Sequence, residues 1–266
     1  IRWMTSGTVS GHCSKNRRPA VAKITSDLEQ KLEYVGLEAM AGHLDRIMRS
    51  SEGSVLTPLQ LLRELVDQYY LDYRNRQFQD NLRLSRLRQQ EALMENLKTG
   101  NGRVYQDVLV DQLSTLEFIE DGANITVAGE SYSGKTYFLR AFCIEACKAN
   151  YRTLFVDYTD LMDDLIVRKQ KSMRSYRQRL RFYANVQFLL IDDFLISKYD
   201  DQALDGLYNL IKERRVLAKA TMVSTQFGPD EWANVISADF TTYAKADGIR
   251  TRIIEDGFIV EIQRAN

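Results

Sequence analysis

The sequence predicts an α/β fold: a P-loop core with a parallel sheet flanked by helices, preceded by a small all-helical domain. Three observations predict it. Gly129-Glu130-Ser131-Tyr132-Ser133-Gly134-Lys135-Thr136 matches the phosphate-cradling P-loop pattern in full, between an apolar β-branched run and a segment with apolar residues at helical spacing. Phe188-Leu189-Leu190-Ile191-Asp192-Asp193 reads as an apolar strand ending in paired carboxylates, the Walker B arrangement. From Leu28 to about Gly100 the chain is strongly charged and helical in period.

The elements follow in order. The chain opens with Ile, and Ile1–Ser26 is rich in Ser, Gly and basic residues, so residues 1–27 are expected to be a disordered or non-native leader. Residues 28–100 form the expected helical domain. Thr57-Pro58-Leu59-Gln60 is a helix start: Thr57 caps, Pro58 takes the first position and Gln60 completes a capping box. Leu61, Leu62, Leu65, Val66, Tyr69 and Tyr70 then recur at helical spacing, and the helix can continue into Arg74, Arg76, Arg83, Arg86 and Arg88. Arg74, Arg76, Arg83 and Arg86 are candidate DNA contacts. A solvated face is the alternative, because Asp67, Asp72, Asp80, Glu91 and Glu95 dilute the charge. Gly100-Asn101-Gly102 breaks the chain and marks the boundary to a core at 101–266.

Asn124-Ile125-Thr126-Val127-Ala128 reads as the buried strand before the P-loop. Gly129 and Gly134 let the loop wrap closely, so that backbone N–H groups face phosphate oxygens at the start of a helix. Lys135 would reach the β- and γ-phosphates of ATP, and the Thr136 hydroxyl would ligate Mg²⁺. Glu130, Ser131, Tyr132, Ser133 and Tyr137 complete the candidate nucleotide site; Glu130 and Tyr132 contribute backbone while their side chains face away. Asp192 would hold the metal, and Asp193 would polarise the attacking water. Many ATPases of this kind carry Glu at the second position, so the shorter Asp193 points to slow turnover.

Thr153-Leu154-Phe155-Val156-Asp157 is a further strand lying between these two motifs. A strand inserted between the P-loop strand and the Asp-Asp strand marks the additional-strand division of P-loop ATPases, whereas simple nucleotide kinases place the two side by side. Ala220-Thr221-Met222-Val223-Ser224 is a fourth strand, ending in Thr225-Gln226. Thr225 or Gln226 could hold the lytic water; an ordinary polar turn before Gly228-Pro229 is the alternative. Arg250 and Arg252 sit on a short apolar helix, where one could act in trans as an arginine finger or simply form a surface salt bridge. Arg168, Lys169, Lys171, Arg174, Arg177, Arg179 and Arg181 come without an acidic residue among them and with Tyr176, Phe182 and Tyr183 interleaved. That segment suits sequence-tolerant contact with DNA phosphates, with a solvated basic helix as the alternative.

The run Gln112–Asn124 leading into the P-loop, Leu189-Leu190-Ile191-Asp192-Asp193-Phe194, and Ser224-Thr225-Gln226-Phe227 followed by Glu231-Trp232 resemble the IstB-type transposition helper ATPases of the AAA+ superfamily. The DnaC-type helicase loaders are neighbours of that family. The resemblance covers roughly residues 30 to 266. It implies an ATPase that oligomerises on duplex DNA when ATP is bound, remodels the target, and recruits and stimulates a transposase. It places Gln226 or Thr225 at the sensor position and Arg252 at the late arginine, and it makes the N-terminal helices a DNA- and partner-contacting domain. After Ile262 the sequence runs four residues further, and no C-terminal helical lid of the kind most AAA+ proteins carry is expected. A helicase loader preferring single-stranded DNA is the second expectation; a nucleotide-gated scaffold with little hydrolysis is the third.

Bulk properties narrow the rest. The 36 Lys and Arg balance 36 Asp and Glu, so only local clusters indicate a partner. Three cysteines and two histidines are too few for a disulfide framework or a convincing metal cluster. No apolar run approaches membrane-spanning length, which points to a cytoplasmic protein without membrane contact.

Overall fold

The computed structural model of the chain describes residues 27–49, 56–100, 102–236, 240–255 and 257–264. The expected leader therefore lies, but for its last residue, outside the described residues. Contacts divide the chain into two compact units, Ile1–Arg76 and Gln77–Asn266.

In the first unit, helices α1 (residues 27–34), α2 (Glu38–Arg49) and the start of α3 (Pro58–Leu84) share a small core. Leu44, Ile47 and Leu65 are buried there, with Leu32, Met40, Leu56 and Leu61 packed against them. The capping box forms as its sequence demands: Gln60 N donates to Thr57 Oγ1 (3.3 Å) and Thr57 N donates to Gln60 Oε1 (2.9 Å).

The second unit is built on five parallel strands in the order β3-β4-β5-β2-β6. They are β2 (Ile125–Ala128), β3 (Thr153–Asp157), β4 (Phe188–Asp192), β5 (Ala220–Thr225) and β6 (Phe258–Glu261). A short antiparallel ribbon pairs β1 (Arg103–Val104) with β7 (Gln263–Arg264). Both faces of the sheet are covered, so central strands read as continuous apolar runs. In β4, Leu189 and Ile191 face one core while Phe188 and Leu190 face the other, the two-residue alternation of a pleated strand. The first core takes α7 (Tyr158–Lys171), α8 (Met173–Asn185), α9 (Asp201–Val216), the five-residue α10 (Trp232–Ile236) and α11 (Phe240–Ile254). The second takes α4 (Asp107–Leu113), α5 (Glu117–Asp121) and α6 (Lys135–Lys148).

One expectation is corrected. The strand between the P-loop strand and the Asp-Asp strand is β5, not β3; β3 lies at the sheet's outer edge, where Phe155 N donates to Ser85 O (2.8 Å). Order along the chain does not set order in the sheet, because each parallel crossover can step over a neighbour. By contacts the division falls at Arg76/Gln77. Gly100 and Gly102 mark a tight turn, both at positive φ, but Leu82, Leu87, Ala92 and Leu97 before them are buried in the core of the second unit.

Candidate nucleotide site

The P-loop connects the C-terminal end of β2 to the first turn of α6. Gly134 caps that helix at φ +104°, a conformation costly for any residue with a Cβ, and no side chain caps the first-turn amides. Gly129 is required for a different reason: a Cβ there would lie 2.5 Å from Ile262 O and 2.8 Å from Ser133 Oγ. Tyr132 occupies the left-handed region at φ +62° and is 88 % exposed, so its side chain faces away from the loop's interior. Glu130 and Ser131 are exposed as well. Ser133 is fully buried, and its Oγ has no hydrogen-bond partner.

Lys135 is buried within the loop, its Nζ donating to Gly129 O (2.8 Å) and Glu130 O (2.7 Å). Burial pulls its pKa down, opposed by Asp193 and Asp192. Thr136 Oγ1 donates to Asp192 Oδ1 (3.2 Å), joining the two expected metal-holding residues. The same carboxylate oxygen accepts from Ser224 Oγ (2.6 Å), and that hydroxyl accepts from Asp193 N (2.9 Å). Phe194 N donates to Ser224 O (2.7 Å), so the turn after β4 is pinned to the end of β5. Asp193 sits at φ +51°. Burial raises its pKa, and Asp192 and Asp157 raise it further against the pull of Lys135.

Ser224 escaped the sequence reading, which looked one and two residues further on. Thr225 is buried: its Oγ1 accepts from Phe227 N (3.2 Å) within the turn, and its carbonyl accepts from Gly129 N (3.3 Å) at the start of the P-loop. Gln226 is exposed and lines a cavity of about 620 Å³ with Gly129, Glu130, Glu261 and Arg264. The Tyr137 hydroxyl accepts from Leu93 N (3.0 Å) and Asn96 Nδ2 (2.9 Å), anchoring α6 to the preceding segment.

The late arginines are both engaged. Arg250 pairs with Asp247 (3.0 Å). Arg252 donates to Gly248 O (2.6 Å) and Tyr208 Oη (3.2 Å), and its guanidinium lies over the Tyr208 ring at 4.9 Å. Its carbonyl accepts from Asn124 Nδ2 (2.9 Å), at the end of β2 opposite the P-loop. Arg252 is therefore remote from the P-loop of its own chain.

The basic segment is divided by its partners. Arg168 (3.3 Å) and Arg179 both pair with Asp164, and Lys169 reaches Gln202 O (2.9 Å) and Asp205 (3.9 Å). Burial pushes the Asp164 pKa up, but hydrogen bonds from Arg179 and Tyr183 outweigh it and leave the carboxyl below its ordinary value. Lys171, Arg174, Arg177 and Arg181 are exposed, without an ion-pair partner among the described residues. Arg174, Arg177 and Arg181 follow at steps of three and four on α8, hence on one face. Outside this segment, Arg83 pairs with Asp80 (3.0 Å), and Arg86 lies over the Phe182 ring. Arg74 and Arg76 lie over Tyr70 and Tyr69.

These residues fit a nucleotide with a hard divalent cation. The glycines leave a cradle a Cβ would fill, a buried hydroxyl is unpartnered within the loop, and a hydroxyl–carboxylate pair is the donor set Mg²⁺ takes beside phosphate oxygens.

A family model described as IstB-like ATP binding protein matches residues 30–265. A Sinorhizobium fredii protein named as an insertion-sequence ATP-binding protein is 23% identical over 87% of this chain and 91% of its own length. A similarly named Bacillus thuringiensis protein is 25% identical over 88% of this chain and 91% of its own length. Among solved structures, DnaI superposes with a TM-score of 0.53 at 21% identity, covering 66% of this chain and 90% of its own. The replication initiator DnaA, bound to AMPPCP and single-stranded DNA, superposes at 0.52 and 19% identity over 66% of this chain, which spans about half of the initiator (51%). These two likenesses show that the second unit shares their fold. No helix among the described residues is long and apolar enough to cross a membrane.

Proposed function

Since the chain belongs to the IstB-like ATP-binding family, we propose that it hydrolyses ATP and uses the nucleotide to assemble on duplex DNA as a transposition helper. The observation that carries the hydrolytic part is the Thr136–Asp192–Ser224–Asp193 hydrogen-bond chain beneath a complete P-loop. When bound, Mg²⁺ would neutralise developing phosphate charge, held by Thr136 and Asp192. Lys135 exchanges its two carbonyl acceptors for phosphate oxygens, which return the counter-charge its burial lacks. Asp193, poised above the ordinary carboxylate pKa, accepts a proton from the attacking water, and Gln226 at the loop's mouth orients that water. Ser224 keeps both carboxylate residues in register by bonding to each.

Arg252 serves as the trans finger in this reading. Its position at the far end of the sheet bars it from its own site, so only a second copy can use it, after release from Gly248 and Tyr208. Nucleotide occupancy and oligomer state are thereby coupled. DNA phosphates meet the unpaired stripe Lys171, Arg174, Arg177 and Arg181. Arg168, Lys169 and Arg179, engaged by Asp164 and Asp205, shape that surface rather than touch DNA. The assembly then recruits a transposase.

The test is binding to random duplex and single-stranded DNA across a salt series, with and without ATP, beside Lys135→Ala. Duplex binding that requires ATP and Lys135 is expected, with assemblies larger than the free protein. Preference for single strands would favour a helicase loader instead. Nucleotide-independent binding, or none, would refute assembly on DNA.

A further inference from the structure

The β1–β7 ribbon sets Arg103 directly opposite Arg264, and both guanidinium groups end on the P-loop. A Cβ built on Gly134 would lie 2.9 Å from Arg103 Nε and 3.0 Å from its Cζ, so this guanidinium covers the glycine that opens α6. Arg264 Nη2 donates to Ser131 O (2.7 Å), on the loop itself. Among the described residues neither arginine has a carboxylate within ion-pair distance. The ribbon is itself fixed against the loop, because β7 follows β6 directly through Ile262, whose N donates to Ala128 O (2.9 Å) and whose O abuts Gly129.

The charge arrangement is unfavourable in the empty protein. The positive end of the α6 dipole, Lys135 and two unpaired guanidinium groups converge on one loop. Asp192 and Asp193 answer Lys135, whereas among the described residues the arginines have beside them only the Tyr105 hydroxyl and, beyond ion-pair distance, Glu130 and Glu261. An anion on the loop would relieve that repulsion. Any phosphate held by the amides that begin α6 comes within reach of the guanidinium lying over Gly134. An arginine fork is suited to such a phosphate, since it offers two parallel donors where lysine offers a point charge.

We propose that Arg103 is a cis nucleotide-binding residue that grips the diphosphate common to ATP and ADP. Arg264 is the positioning residue that fixes the loop through Ser131. This rests on the nucleotide reading above and adds to it a contact made from the ribbon, independent of any neighbouring subunit.

The experiment is titration of the full chain with fluorescent ATP and ADP analogues, for wild type, Lys135→Ala, Arg103→Gln and Arg103→Lys. Melting of each nucleotide-free protein is measured alongside. Arg103→Gln is expected to weaken ATP and ADP alike, by about 10- to 100-fold, the scale of one charge-assisted contact. Arg103→Lys should recover part of that loss, and the nucleotide-free melting temperature of Arg103→Gln should not fall below the wild-type value. In turnover assays the larger share of the loss should appear in KM rather than kcat. Equal affinities for Arg103→Gln and wild type would overturn the proposal. So would a loss that accompanies a lowered melting temperature and is not recovered by lysine. Failure of the wild type itself to bind nucleotide would instead overturn the nucleotide reading, and this proposal with it.

Discussion

Replacing Ser224 with alanine tests the catalytic geometry most directly. Its hydroxyl, fully buried at the end of β5, donates to Asp192 Oδ1 at 2.6 Å and accepts from Asp193 N at 2.9 Å. Deletion removes a hydrogen bond to a charged acceptor, worth about 1.5–3 kcal/mol, and strands a backbone donor at a cost of roughly 1–3 kcal/mol. The two overlap once a water or a shifted turn compensates, so a net destabilisation of about 2–4 kcal/mol is expected. It should appear as a lower denaturant midpoint at an unchanged m-value. Function should suffer separately. Asp192 would keep only Thr136 as a side-chain partner, and Asp193 would lose its tether to β5. Misplacement of that order costs about 100-fold in kcat. A variant that loses less than about 1 kcal/mol of stability and retains wild-type turnover would refute the reasoning, because the hydroxyl would then organise neither carboxylate.

Further outcomes are expected elsewhere. Because burial and two neighbouring carboxylates raise the Asp193 pKa, the acid limb of a kcat/KM profile should fall at a higher pH than for an unshifted aspartate. The stability linkage has the matching sign: between the unfolded and folded pKa values the native state holds the extra proton. The contribution is thus complete below the unfolded value and lost as pH rises through the folded one, and Asp193→Asn should abolish that slope. Tyr132→Gly relieves a left-handed non-glycine conformation worth about 1–2 kcal/mol, less the entropy a glycine costs, so a gain of roughly 0.5–1 kcal/mol in denaturant unfolding is expected. In DNA binding, the double variant Lys171→Gln/Arg177→Gln should flatten the slope of log K against log salt by about 2, whereas Arg168→Gln should change it little because Asp164 already holds that charge.

The P-loop was legible because its chemistry requires contiguous residues: glycines for the turn, a lysine and a threonine at the helix start, an apolar strand before them. Asp192 and Asp193 were legible for the same reason, at the end of a strand whose continuous apolar run announces burial on both faces. The Thr57–Gln60 box could likewise be read from four adjacent positions. The sensor-strand end could not. Ser224, Thr225 and Gln226 are all polar, and which one meets Asp192 depends on how β5 is aligned and rotated against β4.

The basic segment shows the same limit from the electrostatic side. Its lack of internal acids suggested a uniform cationic surface, yet Asp164, one turn upstream on α7, holds Arg168 and Arg179, and Asp205 on α9 draws Lys169, so three of its seven cations are engaged. Arg103 and Arg264 stand 161 positions apart by their numbers and meet only because a two-residue ribbon pairs. The sequence by itself determined the strand–loop–helix unit and the acidic strand end, because short-range sterics and hydrogen bonding act between neighbours along the chain. Tertiary structure decided which hydroxyl orders the carboxylates, which cations stay free and where the first unit ends, because register, burial and charge pairing join residues that no local rule connects.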